Sequence, residues 1–351
     1  MITIKDIALK AGVSRGTVDR VIHNRGNVTG DKRQKVLQII NELGFKPNEY
    51  ASLIATNKNH SICCLIPSYS EGDIWELTAK GIFGAAKEAG SYGVGVTLVT
   101  YDQYNIDSFR SACDSVLANT PSGVVVAPLF RSATLAFVKE LSDRSIPYVY
   151  IDTKLDDDNY LEFFGLPMYQ SGYLGADILT QRSRETIKHI LNVRIKRDKN
   201  SLSDPTMLRR TGFMDYIKEY LPWCEVADVW ITPTDMDEGT SLLDDVFRDI
   251  PGNQRNIITF NSRVHLVASY IKSRSLENCN VVGYDIVPKN IRVLKEGIVN
   301  FLIAQHSDLQ AGRAVRTLAE YLAFHRPIAR RDNYSQMDIL NKNNCDYYLT
   351  V

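Results

Sequence analysis

The chain contains no long apolar run. Nothing in its 351 residues approaches the ~20 consecutive apolar residues that a membrane-spanning helix needs. Its opening residues, among them Thr3, Lys5 and Asp6, are too polar for a secretory leader, so no signal peptide is expected. Cysteine is sparse and unpatterned. The six residues Cys63, Cys64, Cys113, Cys224, Cys279 and Cys345 form no Cys-x-x-Cys pair and no zinc-type spacing with histidine. Buried free thiols in a reducing, cytoplasmic compartment are expected. The six histidines (His23, His60, His189, His265, His306 and His325) include no i,i+4 pair. The glycines make no Walker-type phosphate loop, no Gly-x-Gly-x-x-Gly and no Gly-x-Ser-x-Gly elbow. Asp156-Asp157-Asp158 lacks the spaced oxygen ligands of a calcium loop. No metal, cofactor or catalytic chemistry is expected.

An overall excess of charge is also missing, since 41 Lys/Arg meet 41 Asp/Glu. The distribution is uneven. Residues 1–60 hold ten Lys/Arg against five Asp/Glu, and the remainder holds thirty-one against thirty-six. A small basic unit on a mildly acidic body suits nucleic-acid contact by the N-terminal part alone. The 44% hydrophobic and 23% charged composition is that of an ordinary globular protein, and the length calls for two or three units.

The basic unit reads as three short helices. Ile4, Ile7, Ala8 and Ala11 recur at helical spacing after Thr3, a plausible N-cap. Gly12 ends this helix, and Ser14 caps a second over about 15–23 with Val18, Val21 and Ile22 inward. A third helix over about 31–43 turns Val36, Leu37, Ile40 and Leu43 inward, and Gly44 closes it. Two helices meeting at a tight glycine turn form a helix-turn-helix, the geometry that lays a helix in the DNA major groove. The exposed face of the second helix then carries Arg15, Gly16, Asp19 and Arg20. The two arginines can each donate two hydrogen bonds to a guanine edge. Gly16 permits close approach. Asp19 repels phosphate unless it accepts from a cytosine amine or holds Arg20. Thr17, Asn24, Arg25, Thr29, Lys32 and Arg33 are candidate phosphate contacts.

From Ser61 the pattern changes to continuous apolar strands alternating with helices, the mark of parallel sheet. Strands are expected over 62–67, 94–99, 123–128 and 148–152, with a helix over about 75–89. A second series starts near Tyr160 and includes strands at 187–193, 257–261 and 281–285 and a helix over about 206–220. Two doubly wound lobes of this kind bind ligands in the crevice at the C-terminal ends of their strands. The candidates there are Tyr69, Asp73 and Trp75 after the first strand, Phe130 and Arg131 in a bulky, basic loop, and Asp152, Asn261 and Asp285 at strand ends. Carboxylates, amides and arginine around an aromatic platform suit a polyol.

The head closely resembles that of the lactose-repressor (LacI/GalR-type) family of bacterial regulators. The shared residues are Thr3-Ile4-Lys5-Asp6-Ile7-Ala8, Ala11-Gly12-Val13-Ser14, Thr17-Val18, Arg20-Val21 and Glu42-Leu43-Gly44-Phe45-Lys46-Pro47-Asn48. The resemblance implies that Arg15, Gly16 and Arg20 read bases. The family usually has a phosphate-touching Ser where this chain has Asp19. It also implies a hinge that becomes helical on DNA and wedges an apolar side chain into the minor groove. That position falls on Ile54, with Leu53 beside it. The implied body is a periplasmic-binding-protein type I domain. Trp75 takes the place of an aromatic that stacks on a sugar ring, and Asp152, Arg209 (with Arg210 as its rival), Asn261, Asp285 and Gln305 match polar positions that hold hydroxyls.

The resulting fold class is α/β: a three-helix head with a hinge helix, then two doubly wound parallel-sheet lobes. The head is placed at 1–47, hinge and linker at 48–60, and the ligand-binding domain at 61–351. Lobe one is expected at about 61–157 and 305–326, and lobe two at about 158–304 and 327–351. The expected activity is a homodimeric, effector-controlled regulator, a repressor on a pseudo-palindromic operator of double-stranded DNA, with a sugar or sugar-like effector and no membrane partner. The missing signal peptide and the head argue against a transporter's solute-binding protein, and the lack of a nucleotide site or acid/base pair argues against a sugar-metabolising enzyme on a similar body.

Overall fold

The computed structural model describes residues 3–22, 26, 28–43, 59–181, 184–195, 206–233 and 236–348. The chain divides into two compact units, Met1–Lys58 and Asn59–Val351. The expectations placed on Asn24, Arg25, Gly44, Leu53, Ile54 and the hinge fall outside the described residues. Among the described residues no helix is long and apolar enough to cross a membrane, and no group of three or more His, Cys, Asp and Glu could hold a metal ion.

The first unit holds α1 (Ile4–Ala11), α2 (Arg15–Ile22) and α3 (Gly30–Leu43). Thr3 and Asp6 form a reciprocal capping box at the start of α1. Gly12 takes φ 67°, the left-handed conformation that stops the helix. Ser14 Oγ accepts from the Thr17 N–H and caps α2. Ile7, Ala8, Ala11, Val18, Val21, Val36 and Ile39 make the core. One expectation is corrected here: Leu37 is 44% exposed and Ile39 is buried. With Val36 as anchor, Ile39, Ile40 and Leu43 lie three, four and seven residues on and share its face, whereas Leu37 points about 100° away.

The second unit begins with β1 (His60–Pro67), α4 (Ile74–Gly90), β2 (Val94–Tyr101), α5 (Ile106–Ala118), β3 (Gly123–Val126), α6 (Arg131–Asp143), β4 (Tyr148–Asp152) and β5 (Glu162–Gly165). It continues with α7 (Met168–Thr180), β6 (His189–Ile195), α8 (Met207–Tyr220), β7 (Glu225–Ile231), α9 (Met236–Asp249), β8 (Asn256–Ile258), α10 (Val264–Ser273), β9 (Asn280–Tyr284), α11 (Pro288–Lys295) and β10 (Phe301–Ala304). The last elements are α12 (Ser307–Phe324), β11 (Asp332–Tyr334), β12 (Asp338–Leu340) and α13 (Cys345–Tyr348).

These strands form two six-stranded sheets, β11-β5-β4-β3-β1-β2 and β12-β10-β9-β8-β6-β7. All pairs are parallel except β10 with β12. Inner strands β1, β3 and β4 are buried on both faces and carry unbroken apolar runs. Edge strand β2 alternates with polar, exposed positions. The chain leaves the first sheet after Gly165, not near 156–158, because β5 still pairs with β4. The last crossing follows Tyr334 rather than 326–327, because β11 pairs with β5 before β12 joins β10. Both strands are too short, at four and three residues, to show a clear period.

All six cysteines are free. Cys63, Cys64, Cys113 and Cys345 are buried, and Cys224 and Cys279 are half-buried.

Candidate functional site

On the head, Arg15, Gly16 and Arg20 are exposed along α2, with Asp19 half-buried beside them. Their common face follows from Val18 and Val21 turning inward. A Cβ at Gly16 would meet nothing closer than Ser14 Oγ at 3.9 Å, so the glycine leaves a shallow notch between the two arginines. Thr17 Oγ1 is engaged with Ser14 Oγ at 3.0 Å. Thr29, Lys32 and Arg33 lie exposed near the start of α3. The surface offers two guanidinium forks on one short helix and places no acidic residue other than Asp19 on it.

In the second unit a cleft, open to solvent, lies between the C-terminal ends of the two sheets. Seven of the expected residues line it: Asp73, Trp75, Asp152, Arg209, Asn261, Asp285 and Gln305. Asp152 ends β4 in one sheet and Asp285 follows β9 in the other. They take φ values of 66° and 70°. Aspartate is among the few residues that tolerate this left-handed region. It turns each chain at the sheet edge, where both carboxylates line the cleft.

Arg209 is only 4% exposed, and its guanidinium is fully directed. Nη1 donates to the Phe260 carbonyl at 2.6 Å, Nε to Ser171 Oγ at 3.2 Å and Nη2 to Gln305 Oε1 at 3.5 Å, and the group stacks 4.3 Å above the Tyr284 ring. Its rival Arg210 turns away to Asp228. Two glycines deliver Arg209. A Cβ at Gly172 on α7 would stand 1.7 Å from the Arg209 carbonyl oxygen, and one at Gly212 on α8 would stand 2.0 Å from that of Tyr169. The two backbones touch, and the start of α8 is pressed toward the cleft.

Asp285 is 3% exposed, and its Oδ1 has no hydrogen-bond partner among the described residues. Burial pushes its carboxyl up to about 6, against the pull of the nearby Arg209. Asn290, fully buried, secures this corner. Its Nδ2 lies within hydrogen-bond reach of the Ser262, Tyr284 and Asp285 carbonyls, and its Oδ1 accepts from the His265 N–H. Asn261 Oδ1 accepts from the Arg263 N–H at 2.9 Å, closing a tight turn over 261–263.

Three expected residues do not line the cleft. Phe130 is buried against Tyr101 and Phe109, because an aromatic just before a helix packs inward with that helix's apolar face. Arg131 is exposed and pairs with Asp156 at 3.0 Å. Tyr69 is half-exposed outside the lining. Gln103, Thr153, Ser262, Arg263 and Ser307 do line it and carried no sequence signal beyond lying near strand ends.

Head and cleft together define a class: a helix-turn-helix unit joined in one chain to a two-lobed domain of the periplasmic-binding-protein type. Residues 3–48 match the model of bacterial regulatory proteins of the lacI family, and residues 62–326 match the periplasmic binding protein domain. A solved structure from Bacteroides fragilis, assigned to the LacI transcriptional regulators, is 33% identical with a TM-score of 0.76, covering 83% of this chain and all of that one. The chain belongs to the LacI family. It is 31% identical to the ribose operon repressor of Lactococcus lactis subsp. lactis over 46% of this chain and 45% of that one. It is 26% identical to the ribose operon repressor of Halalkalibacterium halodurans over 82% of this chain and 81% of that one. The chain spans about half the length of most curated relatives it matches.

Proposed function

We propose that this protein is an effector-controlled transcriptional repressor. Arg15, Gly16 and Arg20 read base edges, while Thr17, Thr29, Lys32 and Arg33 anchor the head on phosphates. Asn24, Arg25, Leu53 and Ile54 extend the same interface. As a homodimer it recognises a pseudo-palindromic operator, since a two-fold protein needs a two-fold site. The cleft takes a sugar or sugar-like molecule, with Trp75 as the ring platform and Asp73, Asp152, Arg209, Asn261, Asp285 and Gln305 as hydroxyl partners. The protein works in the cytoplasm, without a cofactor and without catalysis.

The observation that carries this reading is one chain holding both an exposed two-arginine helix face and a polar cleft between two sheets. Relatives named as operon repressors support it. The test is retention of genomic fragments in a gel-shift assay, with wild type and Arg20→Ala. Loss of one bidentate base contact is expected to weaken the selected fragment by about tenfold or more. Equal retention of all fragments, or no change in the variant, would overturn sequence-specific reading.

A further inference from the structure

The cleft leaves three polar groups without a protein partner among the described residues. Asp285 Oδ1 and Ser307 Oγ are buried and make no hydrogen bond. The Arg263 guanidinium, half-buried in the cleft wall, makes no hydrogen bond or ion pair; only the backbone is engaged, its N–H by Asn261 Oδ1 and its carbonyl by the Leu266 N–H. Ser307 opens α12, which packs on the first sheet's side against α4, while Asp285 and Arg263 belong to the second sheet's side. The unmet groups therefore face the cleft from both lobes.

Their chemistry differs. A buried orphan hydroxyl or carboxylate oxygen is satisfied by a ligand hydroxyl, and leaving it bare costs stability. A guanidinium in a closing cleft needs an anion, and a planar carboxylate matches its fork with two parallel bonds. The other cleft charges are already committed. Arg209 is held by three acceptors and lies beside Asp285. Asp73 Oδ2 accepts from the Ser70 N–H, and Asp152 lies beside Thr153 Oγ1 at 3.4 Å. The wall around Arg263 is locally positive. Burial first, and then Lys289 and Arg263, disfavour the proton on the nearby His265, while its bond to Asn290 and the Asp73 carboxylate oppose them. A dianionic phosphate would face three cleft carboxylates, so a monoanion fits better.

We infer that the effector is a sugar carboxylate, an aldonate or uronate, whose hydroxyls satisfy Asp285 and Ser307 and whose carboxylate is read by Arg263. This rests on the sugar-effector reading above and narrows it.

The full-length protein is titrated calorimetrically with D-gluconate, D-glucuronate and D-galacturonate, with their neutral parents D-glucose and D-galactose, and with D-glucose 6-phosphate. At least one acid is expected to bind about tenfold or more tighter than its parent. Arg263→Gln is expected to bring the acid and its parent to equal affinity. Ser307→Ala is expected to weaken acid and parent alike, without lowering thermal stability. A neutral parent binding as tightly as its acid, or an acid preference surviving Arg263→Gln, overturns the inference and leaves the sugar reading standing. Preference for the phosphate ester overturns the carboxylate class. Failure of every probe removes the sugar reading itself.

Discussion

Asp285 illustrates how burial turns one carboxyl into a condition on binding. Its folded-state value rises from 3.8 to about 6, so the native protein holds this proton more tightly than the unfolded chain does. Stability contributed by proton uptake is present at low pH and is lost as pH rises from about 4 to about 6. The ionised carboxylate accepts from an effector hydroxyl more strongly than the protonated acid does, since a charged acceptor makes the stronger bond. Effector affinity is therefore expected to fall as pH drops below about 6, and Asp285→Asn should bind weakly at every pH. Calorimetric titration between roughly pH 5 and pH 8 checks this, and an affinity flat across that range would exclude the role. Asp285, Asp152 and Asn261 were legible because each ends a strand, and topology alone puts strand ends at the crevice. Phe130 and Arg131 were misplaced because their positions depend on how one loop enters α6. Arg263 and Ser307 were not singled out. Their importance lies in lacking a partner, which only coordinates reveal.

At the scale of elements, the contact between α7 and α8 is the most exacting. Gly172 and Gly212 allow carbonyl oxygens to occupy the space of a side chain. Periodicity could not announce this, since a glycine within a helix reads only as a mild penalty. Gly172→Ala would force the helices apart and shift Arg209 away from Phe260 and Gln305. An overpacking cost of about 1–3 kcal/mol is expected, lowering the melting temperature of the two-lobed unit by roughly 2–10 °C. Effector affinity should fall with it, while DNA binding in the absence of effector is retained. A thermal melt with unchanged midpoint would show that α7 and α8 are not held by this approach. The inner strands were readable as uninterrupted apolar runs, and the helices as 3.6-residue stripes. Strand β5 is too short to show a period, and β11 lay beyond such reading because its partner β5 stands about 170 residues earlier in the chain, which local pattern does not encode.

Across the whole molecule, the proposed function requires that two sites, one in each compact unit, influence one another. The head's fold was legible from its capping and turn residues, and the cleft from the alternation of strand and helix. Their coupling is a thermodynamic property that neither sequence nor fold states. If a cleft ligand weakens operator binding by some factor, operator must weaken that ligand by the same factor. The coupling expected for a regulator of this kind is about 5–150-fold. It is measured by titrating the tightest-binding sugar acid into free protein and into protein saturated with its selected DNA fragment. The ratio of the two affinities should equal the ratio of DNA affinities measured with and without that acid. Arg263→Gln, which weakens the acid in both states, should leave this ratio unchanged, because Arg263 reads the ligand and has no stake in the DNA. A ratio near one in wild type would mean that head and cleft share a chain without regulating each other.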